Sequence, residues 1–210
     1  MRVVCMSDLH GRLPELPACD LVAIAGDLAP DIERVGWDPD LMKLGQHEWF
    51  DAEWRAWEQT WTASRGLCTP GNHDWWHYLP AGLKTEVLID NGVTIDGKTF
   101  WATPWVSFCG NWNHQMARDR RREMFDLMPY KLDLLIMHGP AHGVGDATYG
   151  GEAAGCPEMR AVIQQKQPKH VIFGHIHEGQ RYGREFRLGG SKLYNVAMWG
   201  NTWEPLVLDI

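Results

Sequence analysis

Five short apolar runs in this chain each end on a glycine, aspartate, asparagine or histidine, and this coincidence constrains the fold more than any other feature. Arg2–Ser7 runs into Asp8-x-His10 and Asp20–Ala25 into Gly26-Asp27. Leu67–Thr69 precedes Pro70-Gly71-Asn72-His73-Asp74. Leu132–Met137 delivers His138-Gly139, and His170–Phe173 delivers Gly174-His175-x-His177. Short apolar runs bounded by turn residues suit strands covered on both faces. Strands of that kind alternate with helices in α/β folds, whose sites form outside the carboxyl ends of the strands. Five such ends can therefore converge on one crevice.

The intervening sequence fits this plan. His47–Ser64 reads as a helix in which Phe50, Trp54, Trp57 and Trp61 recur at helical spacing, a stripe best explained as packing. Arg118–Met128 and Cys156–Gln165 read as further helices, the latter with Pro157 at its start. Val93–Ile95 and Thr99–Ala102 flank Asp96-Gly97, a strong hairpin signal. Leu193–Ala197 and Leu206–Ile210 are expected to form a final strand pair. At 210 residues, with domains running to ~150 residues, the chain is expected to form one α/β domain over residues 1–210.

The residue types at the strand ends specify the chemistry. Asp8, His10, Asp27, Asn72, His138, His175 and His177 offer oxygen and imidazole donors with no thiolate among them. That set suits Mn²⁺, Fe or Zn²⁺ rather than Ca²⁺, with Mn²⁺ the expected ion. Seven donors are too many for one ion and suit two ions sharing a carboxylate. Two metals ~3.5–4 Å apart can clamp the attacking and leaving oxygens of a phosphoryl displacement. Gly26, Gly71 and Gly174 precede or start the ligand turns, where a residue without Cβ permits tight backbone. His47, His77, His114 and His170 lie outside these fragments and read as ordinary surface or satisfied histidines.

Composition narrows the partners. A net charge of −7 and a pI near 5.8, with no basic cluster, argue against long nucleic acid, which is bound mainly through phosphate neutralisation. No run approaches the ~20 apolar residues of a membrane helix. The N-terminal residues lack a basic segment followed by an apolar one, so no signal peptide is expected. The five cysteines show no CxxC spacing, and a reducing cytoplasm is the expected setting.

The ordered fragments DLH, GD, GNHD, H-G and GHIH resemble the calcineurin-like metallophosphoesterases across nearly the whole chain. A closer likeness, to the MPPED-type branch and the cyclic-nucleotide phosphodiesterases, is carried by Ser7-Asp8-Leu9-His10-Gly11-Arg12, Ala102-Thr103-Pro104-Trp105, Met137-His138-Gly139-Pro140, Phe173–Gly179 and Tyr194-Asn195-Val196-Ala197. The resemblance implies a four-layer α/β/β/α sandwich of two mixed sheets around a dinuclear metal centre. It implies one ion on Asp8, His10, Asp27 and His177, and a second on Asp27, Asn72, His138 and His175. His73 would be the non-ligand catalytic histidine, oriented by Asp74. Hydrolysis would follow from a hydroxide bridging the two ions, with a small phosphodiester as substrate and a cyclic nucleotide as one candidate.

Arg12, Trp105 and His142 follow the motifs and are candidates for substrate contact. Trp75, Trp76, Trp105 and Trp112 can either stack a nucleobase or pack loops. Phosphomonoesterases and protein phosphatases are the rival reading, but those relatives usually carry GDxxDRG and GNHE. Here the corresponding stretches read Gly26-Asp27-Leu28-Ala29-Pro30-Asp31 and Gly71-Asn72-His73-Asp74. A nuclease is disfavoured by the acidic charge. An inactive binding scaffold is disfavoured by the complete ligand set.

Overall fold

The computed structural model describes residues 1–32, 38–198 and 204–210. One sheet contains β1 (Arg2–Met6), β2 (Leu21–Ala25), β3 (Gly66–Thr69), β4 (Thr85–Val87) and β11 (Leu206–Asp209), in the order β11-β1-β2-β3-β4. The second contains β5 (Asn91–Ile95), β6 (Lys98–Thr103), β7 (Leu134–Met137), β8 (His170–Phe173), β9 (Glu185–Leu188) and β10 (Ser191–Asn195), in the order β5-β6-β7-β8-β10-β9. Pairing is parallel from β1 to β4 and across β6-β7-β8-β10, while β11, β5 and β9 join antiparallel. Both sheets are therefore mixed.

Side chains of a strand point alternately to opposite faces, and that alternation builds the layers. Val3 and Cys5 of β1, Leu21 and Ala23 of β2, Leu134 and Ile136 of β7, and Ile172 of β8 form the core between the sheets. Val4, Met6, Val22 and Ile24 face outward onto Phe50, Trp54, Trp57, Trp61 and Trp76. Leu135, Met137, Val171 and Phe173 face outward on the other side, onto Phe125, Met159, Val162 and Ile163. The result is the expected α/β/β/α sandwich. The sheets are joined at one end, where the Ser7 N–H donates to the Val196 carbonyl at 3.0 Å and the Met198 N–H to the Ser7 carbonyl at 2.9 Å.

The tryptophan-bearing helix both starts and ends earlier than the sequence predicts, its last helical residue being Glu58, so Trp61 lies beyond it. Asp38 caps α1 (Pro39–Trp49) by accepting from the Asp40 and Leu41 N–H groups, with Pro39 opening the helix. The helix continues through a π-helical stretch, Phe50–Trp54, into α2 (Arg55–Glu58). α3 (Arg118–Asp126) and α4 (Pro157–Lys166) cover the second sheet. The Asp96-Gly97 hairpin forms as predicted between β5 and β6. The predicted tail pair does not form: β10 lies between β8 and β9 in the second sheet, while β11 pairs with β1 in the first. Both segments do form strands, but each finds a parallel or antiparallel edge elsewhere. β4 and β9 carry too few apolar residues to stand out in the sequence. No helix among the described residues is long and apolar enough to cross a membrane.

Candidate metal centre

The carboxyl ends of β1, β2 and β3 meet those of β7 and β8 in one crevice. Asp8 Oδ1 lies 2.9 Å from His177 Nε2, and both Asp8 oxygens accept the His175 N–H at 3.1 Å. Asp27 Oδ2 lies 3.3 Å from His138 Nε2 and 3.9 Å from His10 Nε2. His138 Nε2 is also 3.0 Å from Asn72 Oδ1. The His175 ring lies 5.1 Å from the His138 ring, and the His10 ring 5.6 Å from the His177 ring. All seven predicted ligands are thus brought together. Asp27 faces both His10 and His138, the position a shared carboxylate needs.

These donors converge because the backbone is forced. Asp8, His10, Asp27 and His175 have φ of 56°, 45°, 54° and 66°, the left-handed region that non-glycine residues seldom occupy. Such conformations persist at a cost of ~1–3 kcal/mol each only where the surroundings over-determine them. The glycines allow the approach. Gly26 has φ +93°, whereas at Gly174 a Cβ would overlap Asp8 Oδ2 and Ser7 Oγ, and at Gly71 it would overlap Asp27 Oδ1. Gly71 and Gly174 therefore provide clearance rather than an unusual turn.

The donor chemistry fits divalent ions. Two buried carboxylates, an amide oxygen and four imidazoles aim at each other, with no sulfur among them. Groups drawn from Asp8, His10 and His177, and from Asp8, Asp27 and His138, place their ligand atoms within 4.8 Å of one another. His138 Nδ1–H donates to the Ala25 carbonyl at 2.8 Å, which fixes the ring with Nε2 inward. Burial works against the charged form of His138, but the Asp27 carboxylate overrides it and pushes the ring up to about 9. Burial and the neighbouring His138 push His175 down to about 4. Burial opposes ionisation of Asp8 and Asp27 too, yet His177 and His138 respectively hold them below the usual carboxylate range.

The expected partnership of His73 with Asp74 is replaced by another. His73 Nδ1 lies 3.0 Å from Asp31 Oδ1, so Asp31 is the carboxylate on this ring. Asp74 is fully buried and accepts the N–H groups of Gly71, Leu28 and Ala29 at 2.8–3.1 Å. It therefore fastens the Asn72 turn to the Asp27 turn. Burial and the charge of Asp27 push its carboxyl up to about 7, against those hydrogen bonds. The sequence signal for Asp31 was its place four residues after Asp27, within the second motif. Gln46, from α1, supports the same loops: its amide donates to the carbonyls of Pro30 and His73 and accepts the Trp75 N–H. Nothing in the sequence marked it.

Beside the candidate ligands lies a cavity of about 410 Å³. Asp27, Asn72, His73, His175 and His177 form its floor, and Trp105, Val106, Phe108 and Trp112 form an apolar wall. No lysine or arginine lines it among the described residues. Trp105 reaches this wall with its indole N–H bonded to Asp90. Arg12 is exposed and lies outside the lining. His142 also lies outside it and turns toward Asp146, 3.7 Å away. Trp76 is buried in the outer core.

A family model for calcineurin-like phosphoesterases matches residues 1–179, and the chain belongs to that family. Its relatives include a protein named for the MPPED-type branch. UPF0046 protein T07D4.2 of Caenorhabditis elegans is 34% identical, over all of this chain and 60% of that protein. Metallophosphoesterase domain-containing protein 1 of Homo sapiens is 28% identical, over all of this chain and 71% of that protein. The chain thus spans about 60% of the length of the first of these relatives. Among solved structures, TT1561 of Thermus thermophilus superposes with a TM-score of 0.58 at 14% identity, covering 92% of this chain and 88% of that one. A second superposes with a TM-score of 0.66 at 15% identity, covering 92% and 89%.

Proposed function

We propose that residues 1–210 act as one catalytic unit, a metal-dependent phosphodiesterase for small organic phosphodiesters, with a cyclic nucleotide as the leading candidate. One observation carries the reading: seven converging O and N donors open onto an apolar cavity free of lysine and arginine among the described residues. A phosphodiester carries one negative charge and a second organic group, which such a wall suits. Asp8, His10, Asp27 and His177 would hold one ion, and Asp27, Asn72, His138 and His175 the other. Mn²⁺ is the expected ion, with Fe or Zn²⁺ as alternatives. When bound, such ions polarise phosphoryl oxygens and lower the pKa of water.

The chain's own residues supply the rest. Asp31 engages His73 Nδ1, leaving Nε2 as the nitrogen available to substrate. Burial opposes a charge on this ring, but the Asp31 hydrogen bond raises it above the ordinary histidine value. A protonated Nε2 stabilises a phosphoryl oxygen and protonates the departing alkoxide. Trp105 and Phe108 receive the organic group, a nucleobase being one that stacks on them. The net charge of −7 disfavours long nucleic acid, and five free thiols fit a reducing cytoplasm.

The test is hydrolysis by metal-stripped protein, with and without Mn²⁺. Bis-p-nitrophenyl phosphate, p-nitrophenyl phosphate and a cyclic-nucleotide panel are run side by side. Mn²⁺-dependent turnover favouring diesters and a cyclic nucleotide supports the reading. Preference for the monoester moves the chain to the phosphatases, and silence with every metal overturns a hydrolytic role.

A further inference from the structure

The loop between β6 and α3 places the Trp112 indole against the face of the His73 imidazole, with ring centroids 3.8 Å apart and planes inclined by 34°. This contact is held by the backbone. The Asn113 N–H donates to the Asn72 carbonyl at 3.0 Å, and the Asn113 side chain to the Asp74 carbonyl at 2.9 Å. Both acceptors belong to the turn that carries His73. The Gln115 side chain ties the loop to itself by donating to the carbonyls of Gly110 and Trp112, at 2.9 and 2.7 Å. Asn113 thus fastens the loop to the turn that carries His73.

The imidazole is thus bounded on three sides. Asp31 fixes Nδ1, the His10 ring meets it edge-on at 4.8 Å, and Trp112 covers a face. Asp31 holds Nδ1 and His10 meets the ring edge, but neither covers a ring face. A flat partner on the face restrains the remaining tilt of the ring plane. We infer that Trp112 is a positioning residue for His73, one that fixes the plane in which Nε2 meets the leaving group. This rests on the proposed phosphodiesterase reading.

The chemistry makes the role separable from simple wall-building. An alkoxide leaving group needs a proton, whereas p-nitrophenolate departs readily without one. Misplacing a catalytic group by ~1 Å can cost ~10²-fold. Loss of alignment should therefore slow esters with poor leaving groups and spare activated ones, while loss of an apolar wall should raise KM for both.

The experiment compares wild type, Trp112→Ala, Trp112→Phe, His73→Ala and the double variant with Ala at both positions, each loaded with Mn²⁺ and checked for metal stoichiometry. Substrates are 2′,3′-cyclic AMP and bis-p-nitrophenyl phosphate. Trp112→Ala is expected to lower kcat on the cyclic nucleotide by about 10–100-fold and on the activated diester by less than about 3-fold. Trp112→Phe should restore most of the difference. Trp112→Ala should add nothing in the His73→Ala background, because residues acting through one another are not additive. In metal-free protein, NMR should show the ring-current shift of the His73 ring protons lost in Trp112→Ala and largely kept in Trp112→Phe. Equal kcat losses on both substrates, a pure KM effect, or additivity with His73→Ala overturns the inference. If wild type hydrolyses neither ester, the phosphodiesterase reading itself fails, while the NMR arm still reports whether Trp112 holds the ring.

Discussion

The outer tryptophan layer packs on one sheet and the candidate metal crevice spans the ends of both, and the two are built in opposite ways. In the layer, Trp54 meets Phe50, Trp57 and Trp61 edge-on at centroid distances of 5.4, 4.9 and 6.1 Å, and its indole N–H donates to Thr85 at 3.1 Å. The backbone of Phe50, Trp54 and Trp57 is helical, and the aromatic geometry is the favoured one. In the crevice, Asp8, His10, Asp27 and His175 take left-handed backbone, with glycines leaving just enough clearance. One region gains stability from apolar burial, and the other gives stability up to hold ligands.

The largest way to break this contrast is at Asp27. Asp27→Asn should lower kcat/KM by more than about 10³-fold, since a carboxylate facing both ligand sets is lost, while metal-free thermal stability stays close to wild type. Metal analysis should show fewer than two ions per chain, and full activity with both ions retained would dismiss the shared-carboxylate assignment. Trp54→Ala should do the reverse. It should cost about 3–5 kcal/mol in denaturant unfolding, yet leave Mn²⁺-dependent turnover near wild type at low temperature.

Acid sharpens the comparison. His114 is buried beside Trp76, bonded through Nε2 to its carbonyl at 3.0 Å, and burial with the neighbouring His77 pushes it down to about 3. The unfolded chain therefore binds a proton below pH ~6.5 that the folded chain refuses. Stability is full above that value and falls as pH drops toward 3, by about 2 kcal/mol at pH 5. His114→Gln should flatten this slope in unfolding measured from pH 7 to pH 5. In the crevice the sign is opposite for His138, which holds its proton up to about 9 until a metal displaces it. Mn²⁺ binding at pH 7.5 should release protons, seen by calorimetry in buffers of different ionisation enthalpy. Asp31→Asn should show the smallest effect, about a tenfold fall in kcat for alkyl esters, with metal content unchanged.

Much of the crevice was legible because its ligands sit directly after apolar runs, where strand direction fixes their placement. Asp8 and His138 need no tertiary knowledge beyond a parallel sheet. The partner of His73 was not legible in the same way. Asp74 is its chain neighbour, but the turn points that carboxylate back at the Leu28 and Ala29 N–H groups, and spacing does not reveal a turn's direction. Trp112 was visible as an aromatic near a motif, yet whether it stacks a ligand or a histidine depends on how Asn113 anchors its loop. The tail strands were recognisable from alternation. Their pairing was not, because β10 joins β8 in parallel on one sheet while β11 joins β1 antiparallel on the other.

The candidate ligands are divided between the two sheets, with Asp8, His10, Asp27 and Asn72 following strands of the first and His138, His175 and His177 following strands of the second. During synthesis, chains fold progressively from the amino end, so a nascent chain cannot present this set until residue 177 has emerged and both sheets have docked. Metal binding to this set would therefore require completed assembly. An ion that binds only the finished arrangement pulls the equilibrium toward it, so the same ions that would serve catalysis would also clasp one sheet to the other.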